Sequence, residues 1–139
     1  MEQYKAEERE VLGRLAEETI KFLKTLPQPI VRVCGPLTTG GFGYEENARR
    51  LAKAEEILEK KGYTVFKFGD AEASIKDKGY SHAAVMDLFH KPVLKSGLLQ
   101  EAFFLKGWNE STGATIERET CENETPIAVT DFPEEWFSE

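Results

Sequence analysis

The chain is short of three things whose presence would have fixed its class. Cysteine is scarce: Cys34 and Cys121 are the only two in 139 residues. Neither belongs to a close Cys/His cluster with metal-ligand spacing, so a structural zinc site is excluded and neither metal nor cofactor is expected. Long apolar runs are also missing. No stretch approaches the ~20 residues of a membrane span, and residues 1–10 are acidic, without the basic and then apolar pattern of a signal peptide. The expected setting is cytoplasmic, with no membrane partner. Positive charge is the third shortage. Lys and Arg number 18 against 25 Asp and Glu, a formal net charge of −7. Binding a nucleic-acid backbone rests on clustered cations, so no nucleic-acid polymer is expected as partner. A small anionic ligand is still compatible, because helix N-termini hold anions whatever the net charge.

What the chain does have is an ordinary globular balance, 40% apolar and 31% charged residues, enough for one domain with a single core. Residues 4–26 carry an apolar stripe of Val11, Leu12, Leu15, Thr19, Phe22, Leu23 and Leu26, which predicts an N-terminal helix ended by Pro27 and Pro29. The stripe is too broad for a free helix. It must pack on its own domain or on a partner subunit. Residues 30–34 are a β-branched run, followed by a loop at 35–43 with three glycines in four residues. A helix over 44–61 with Gly62 as its stop and a strand over 63–68 complete a βαβ unit, which favours a parallel, right-handed crossover.

Residues 69–81 read as loop. A helix over 82–94 is expected to break or kink at Pro92. A third strand at 101–105, a helix at 112–123 and a fourth strand at 126–130 follow. The alternation predicts an α/β domain: a flavodoxin-like or Rossmann-like three-layer sandwich with a mostly parallel sheet of four or five strands. Its parts are an N-terminal helix (1–28), the α/β core (29–130) and a tail (131–139). Ligands of such sheets bind beyond the carboxyl ends of the strands, where the strand order reverses. The loops at 35–43, 69–70 and 107–112 would meet there.

Two segments carry the chemistry. Cys34-Gly-Pro-Leu-Thr-Thr-Gly-Gly41 ends the first strand, and Gly107-Trp-Asn-Glu-Ser-Thr-Gly-Ala-Thr-Ile-Glu117 runs from the third strand into a helix. In this order and context they resemble the nucleoside 2-deoxyribosyltransferase-like superfamily, which includes nucleoside 5′-monophosphate N-glycosidases. The likeness spans roughly residues 30–130. It implies that Glu117 attacks the anomeric carbon of a (deoxy)ribosyl group and that Ser111 helps bind a 5′-phosphate or hydroxyl. It also implies that Gly35, Pro36, Leu37, Thr38, Gly40 and Gly41 line the sugar and phosphate pocket, with Gly113 in the same motif. The resemblance also implies an aspartate on the helix before the third strand that assists the leaving base or orients the sugar, and Asp87 is the nearest candidate. His90 or Asp70 is the alternative for proton handling. The partner implied is a nucleoside or nucleotide, and the assembly a homo-oligomer.

The chemistry fits the residue types. Breaking an N-glycosidic bond builds oxocarbenium character, which a carboxylate stabilises and then traps. Each residue also has a plainer reading. Glu117 shares its helix with Glu119 and Glu122, the pattern of a solvated face. Ser111 is an expected N-cap with or without a ligand. Asp87 and His90 share a helix face as a surface pair. Trp108 either packs on the sheet rim or joins Phe42 and Tyr44 in a platform for a base. Arg32, Lys91, Lys95 and Arg118 are the cations available to turn toward the site. The activity expected is N-glycosidic cleavage or transfer; the alternative is a silent nucleotide-binding or interaction domain.

Overall fold

Ile30–Cys34 forms strand β1, and all five of its residues are buried. A strand can be covered on both sides only if the sheet has a layer on each face. The computed structural model describes residues 4–37 and 40–139. Beside β1 lie β2 (Thr64–Val65), β3 (Glu101–Phe104) and β4 (Ala128–Asp131), in the order β2-β1-β3-β4. Every pairing is parallel, with Val31 opposite Glu101 and Cys34 opposite Phe104 across the central pair. This is the expected three-layer α/β architecture. The chain steps outward from β1 to β2 and then returns to the other side of β1 for β3, so the reversal of strand order falls between β1 and β3.

Side chains alternate across a strand. Ile30 and Cys34 enter one core with Ala102 and Phe104, while Val31 and Val33 enter the other with Phe103 and Leu105. Arg32 therefore points into the first core. That core is covered by helix α1 (Ala6–Leu23), by the continuous helical run α4 (His82–Val85), a π-helical turn Met86–His90 and α5 (Lys91–Leu94), and by α6 (Thr112–Glu124). Helix α2 (Tyr44–Lys60) covers the second core. A short helix, α3 (Gly69–Ala73), follows β2. Among the described residues no helix is long and apolar enough to cross a membrane.

Four features differ from the sequence reading. The strand expected over 63–68 is shorter: it pairs at Thr64 and Val65, with a last backbone bond from the Phe66 N–H to the Val31 carbonyl at 2.8 Å, and Phe66 and Phe68 bury in the first core. Pro92 does not break its helix. The turn before it widens to π-helical instead, which accommodates a residue that has no N–H to donate and whose ring crowds the preceding turn. Helix α1 turns most of the predicted stripe inward but not all of it: Leu12, Thr19 and Leu23 are buried together with Ala16 and Glu8, Val11, Leu15 and Leu26 pack half-buried against the core, and Phe22 is exposed. It packs on its own domain, against the π-helical turn and its flanking helices. Finally, the tail belongs to the second core. Phe132 is buried, and Trp136 and Phe137 from the 3₁₀ segment Glu134–Ser138 stack around it.

The Glu8 carboxylate ties α1 to the loop before α4, accepting from the backbone N–H groups of Ser81 and Lys5, each at 3.0 Å. The Ser81 N–H, then the Lys5 N–H, lower its pKa. A depressed carboxylate stabilises the fold fully above its unfolded pKa of ~4.3, and that contribution is lost as pH falls through the folded value. Glu8→Gln should lower stability at neutral pH and flatten its decline between about pH 5 and 3. Denaturant melts across that range are the check; parallel wild-type and variant curves would contradict the role given to Glu8.

Candidate active site

The loops after β1 and β3 meet at the point where strand order reverses. Gly41 N–H donates to Glu110 Oε1 at 3.1 Å. Gly41 has φ +65°, and a Cβ there would lie 2.4 Å from Asn47 Oδ1 and 2.7 Å from Pro36. Only glycine fits both the backbone and the space. Gly35 is constrained by closeness alone, since a Cβ would lie 2.9 Å from the Leu105 Cβ. Asn47, in the first turn of α2, holds this loop in shape. Its amide donates to the carbonyls of Leu37 (3.1 Å) and Gly40 (3.0 Å), and its oxygen accepts from Phe42 N–H (2.9 Å). The structure thus gathers Pro36, Gly40 and Gly41 against Gly107 and Glu110, with Gly35 against Leu105 and Leu37 tied to Asn47. Thr38 and the side chain of Asp70 lie outside the described residues.

Ser111 caps α6, its Oγ accepting from Ala114 N–H at 3.3 Å. The cap sets the helix phase, and two turns later Glu117 faces the core instead of solvent. Glu117 is only 6% exposed, unlike Glu119 and Glu122. Its Oε2 forms an ion pair with Arg32 and lies 3.7 Å from the Cys34 Sγ. Oε1 has no hydrogen-bond partner among the described residues.

Arg32 is 1% exposed. One face of its guanidinium lies 4.0 Å from the Phe68 ring centroid, and Nη2 is 3.0 Å from His90 Nδ1. Behind it, His90 Nε2 is 2.6 Å from Glu72 Oε1. A line of polar groups therefore runs from Glu117 on α6 through β1 and the π-helical turn to Glu72 on α3. Burial, the largest single influence, works against the Arg32 charge, but Glu117 together with Cys34, Glu72 and Cys121 outweighs it and the pKa is raised. Burial, then the neighbouring Glu117, pushes the Cys34 thiol well up, so it remains a thiol. Burial likewise raises Cys121 to about 11. For Glu72, burial is the largest single influence and opposes ionisation, yet the hydrogen bond from His90 and the nearby His90, Arg32 and His82 together prevail and its pKa is lowered.

The other candidates have different surroundings. Asp87 accepts from the Tyr4 hydroxyl and pairs with Lys91 at 3.3 Å; the Tyr4 bond is the main cause of its lowered pKa. It is held ionised beside α1, and its recorded contacts are not with Glu117. His90 is 2% exposed and sits beneath Arg32, not at the surface of its helix. Gly113 packs α6 toward α4, where an added Cβ would lie 3.3 Å from His82 Nε2. Trp108 packs on the sheet rim, edge-on to Phe104 with Arg118 over its ring at 4.2 Å. Arg118 pairs with Asp131 and Lys95 with Glu124, so of the four cations only Arg32 reaches Glu117.

Two shallow clefts flank the start of α6. One, of about 330 Å³, is lined by Lys106, Gly107, Trp108, Asn109 and the end of β4. The other, of about 380 Å³, runs along Ser111, Thr112, Thr115 and Glu119. Glu117 lines neither.

Sequence reading missed Asn47, Glu110 and Glu72. The signal for Asn47 was a poor helix former in the first turn directly after a glycine loop; Glu110 and Glu72 had none beyond their loops. Asn47→Ala should lower stability by about 1–3 kcal/mol through its lost hydrogen bonds and loosen the 35–43 loop. Denaturant melts and proteolysis at the loop measure both, and unchanged values would remove Asn47 as its brace.

No curated protein and no solved structure gives a match to this chain. Residues 30–130 match the family model described as Domain of unknown function (DUF4406), a span that runs from β1 into β4 and contains every loop and side chain of the site except the tail that backs it. The chain belongs to that family.

Proposed function

We propose that this protein cleaves or transfers the N-glycosidic bond of a nucleoside or nucleoside 5′-monophosphate through a glycosyl ester on Glu117. The observation that carries the reading is the buried Arg32–Glu117 pair at the carboxyl end of the central strands. A buried ion pair is weak as a stabilising device, since well-packed apolar residues serve as well or better. An arginine in the middle of an otherwise apolar central strand therefore asks for another reason, and perturbed charges cluster at functional sites. Here the pair keeps one carboxylate oxygen engaged while the other has no partner among the described residues. The resemblance of residues 34–41 and 107–117 to the nucleoside 2-deoxyribosyltransferase-like superfamily points the same way.

In this reading a Glu117 oxygen bonds to the anomeric carbon as the carbon–nitrogen bond breaks, and the base leaves with the electron pair and takes up a proton. Water or a second base then attacks the same carbon and frees the carboxylate, giving hydrolysis or transfer. Asp87 is held ionised by Tyr4 and Lys91, so it would orient a group by its charge and not donate a proton. Homo-oligomer formation and a cytoplasmic setting belong to the same proposal.

The second reading is a silent nucleotide-binding domain, favoured by the shallow exposure of Glu117 and its absence from both clefts. Nucleosides and 5′-monophosphates should release free base, detected by chromatography, and Glu117→Gln should abolish release while circular dichroism keeps the wild-type shape. Undiminished release in that variant would sink the nucleophile. Thermal stabilisation without turnover, about 2.7 kcal/mol at a ligand concentration 100 times Kd, would establish the second reading instead. Removing the carboxylate leaves Arg32 uncompensated, so Glu117→Ala should lose about 3–5 kcal/mol of stability.

A further inference from the structure

Arg32 is held from two sides, and only one of them is Glu117. The other is His90, whose Nδ1 lies 3.0 Å from Arg32 Nη2. Arginine has donors and no acceptor, so Nδ1 must be the bare, accepting nitrogen of a neutral ring. The hydrogen then sits on Nε2, which faces Glu72 Oε1 at 2.6 Å, and that oxygen accepts it. Arg32 and Glu72 thus define the protonation of His90. The ring is further fixed by edge contacts with Phe68 at 5.7 Å and Phe89 at 4.6 Å. Phe68 also stacks under the guanidinium, so Arg32 and His90 share one apolar wall. The remaining titratable groups in this interior are Cys34 on β1 and Cys121 on α6, both buried thiols. Of the chain Glu117, Arg32, His90 and Glu72, only Glu72 is substantially open to solvent, with its side chain 32% exposed.

We propose that His90 and Glu72 are positioning residues: the Glu72 carboxylate fixes His90 in its Nε2–H form, and the bare Nδ1 then orients the Arg32 guanidinium toward the Glu117 carboxylate. This rests on the reading of Glu117 as nucleophile for its catalytic consequence, but not for the arrangement itself. Glu72 sits on α3, which follows β2, so the brace on the nucleophile reaches an element outside the two motif segments.

The arrangement is read by NMR on the whole protein labelled with ¹⁵N. His90 should show a protonated Nε2 and an unprotonated Nδ1, and Arg32 should show separate Nη resonances because its guanidinium is pinned. Glu72→Ala should merge the Nη signals, and Glu72→Gln, whose amide oxygen still accepts, should restore them. Protonated Nδ1, pinned Arg32 signals in Glu72→Ala, or equal loss in both variants would overturn the proposal. For base release, Glu72→Ala should lower kcat on the order of 10-fold, the scale of one hydrogen bond to a charged group, with KM nearly unchanged and Glu72→Gln close to wild type. An unchanged kcat in Glu72→Ala would overturn the catalytic consequence. Absence of base release from the wild type would fail the proposed function while the resonances still decide the positioning.

Discussion

Much of this structure follows from one guanidinium placed where a central strand should carry an apolar side chain. Arg32 points into the first core between Ile30 and Cys34, and an isolated cation there would be prohibitively expensive. It needs an anion, an aromatic face and an acceptor, and each comes from a different element. Glu117 comes from α6, Phe68 from the end of the β2 segment and His90 from the π-helical turn. The shortened β2 and the widened turn before Pro92 both put a ring against Arg32. A single buried charge thereby fixes the relation of three elements to β1.

The loops make use of that fixed frame. Strand order reverses between β1 and β3, so the glycine loop and residues 107–111 leave the sheet side by side. Asn47 and Glu110 then hold them in contact through backbone groups. The Ser111 cap starts α6 in the phase that turns Glu117 inward. Loop shape and carboxylate position are therefore set by separate interactions, one polar and near the surface, the other ionic and buried.

The central elements were legible because their patterns are local. A β-branched run bounded by glycine gave β1, and Ser111 before a helical segment gave the start of α6. The alternation of types gave a parallel sheet. What escaped depended on tertiary choices. Phe66 and Phe68 suit a strand as well as a core, and they bury in the first core while the ladder ends with the Phe66 N–H on Val31. The stripe of α1 was legible apart from Phe22, but not the burial of Glu8, which depended on its carboxylate finding two backbone donors. Phe132 and Trp136 lay beyond the recognisable α/β pattern, yet the second core needed their rings. At the site, Glu117 was legible from its motif, whereas Arg32 as its partner required knowing which face of β1 met α6. His90 was visible as a titratable residue, but its inward direction depended on the π-helical turn, which no sequence period announces.

The account's central claim is that the Arg32-bound carboxylate of Glu117 forms a covalent bond to a sugar. Fluorine at the sugar 2-position disfavours the oxocarbenium-like transition states that form and break such an ester, so a 2-fluoro nucleoside with a good leaving base lets the ester form and then persist, and intact-protein mass spectrometry followed by peptide mapping locates it. The account predicts a mass increase equal to one fluorinated glycosyl group, mapped to Glu117 and absent from Glu117→Gln. An adduct on another residue, or wild-type protein that releases base yet maps no glycosyl group to Glu117, would contradict it.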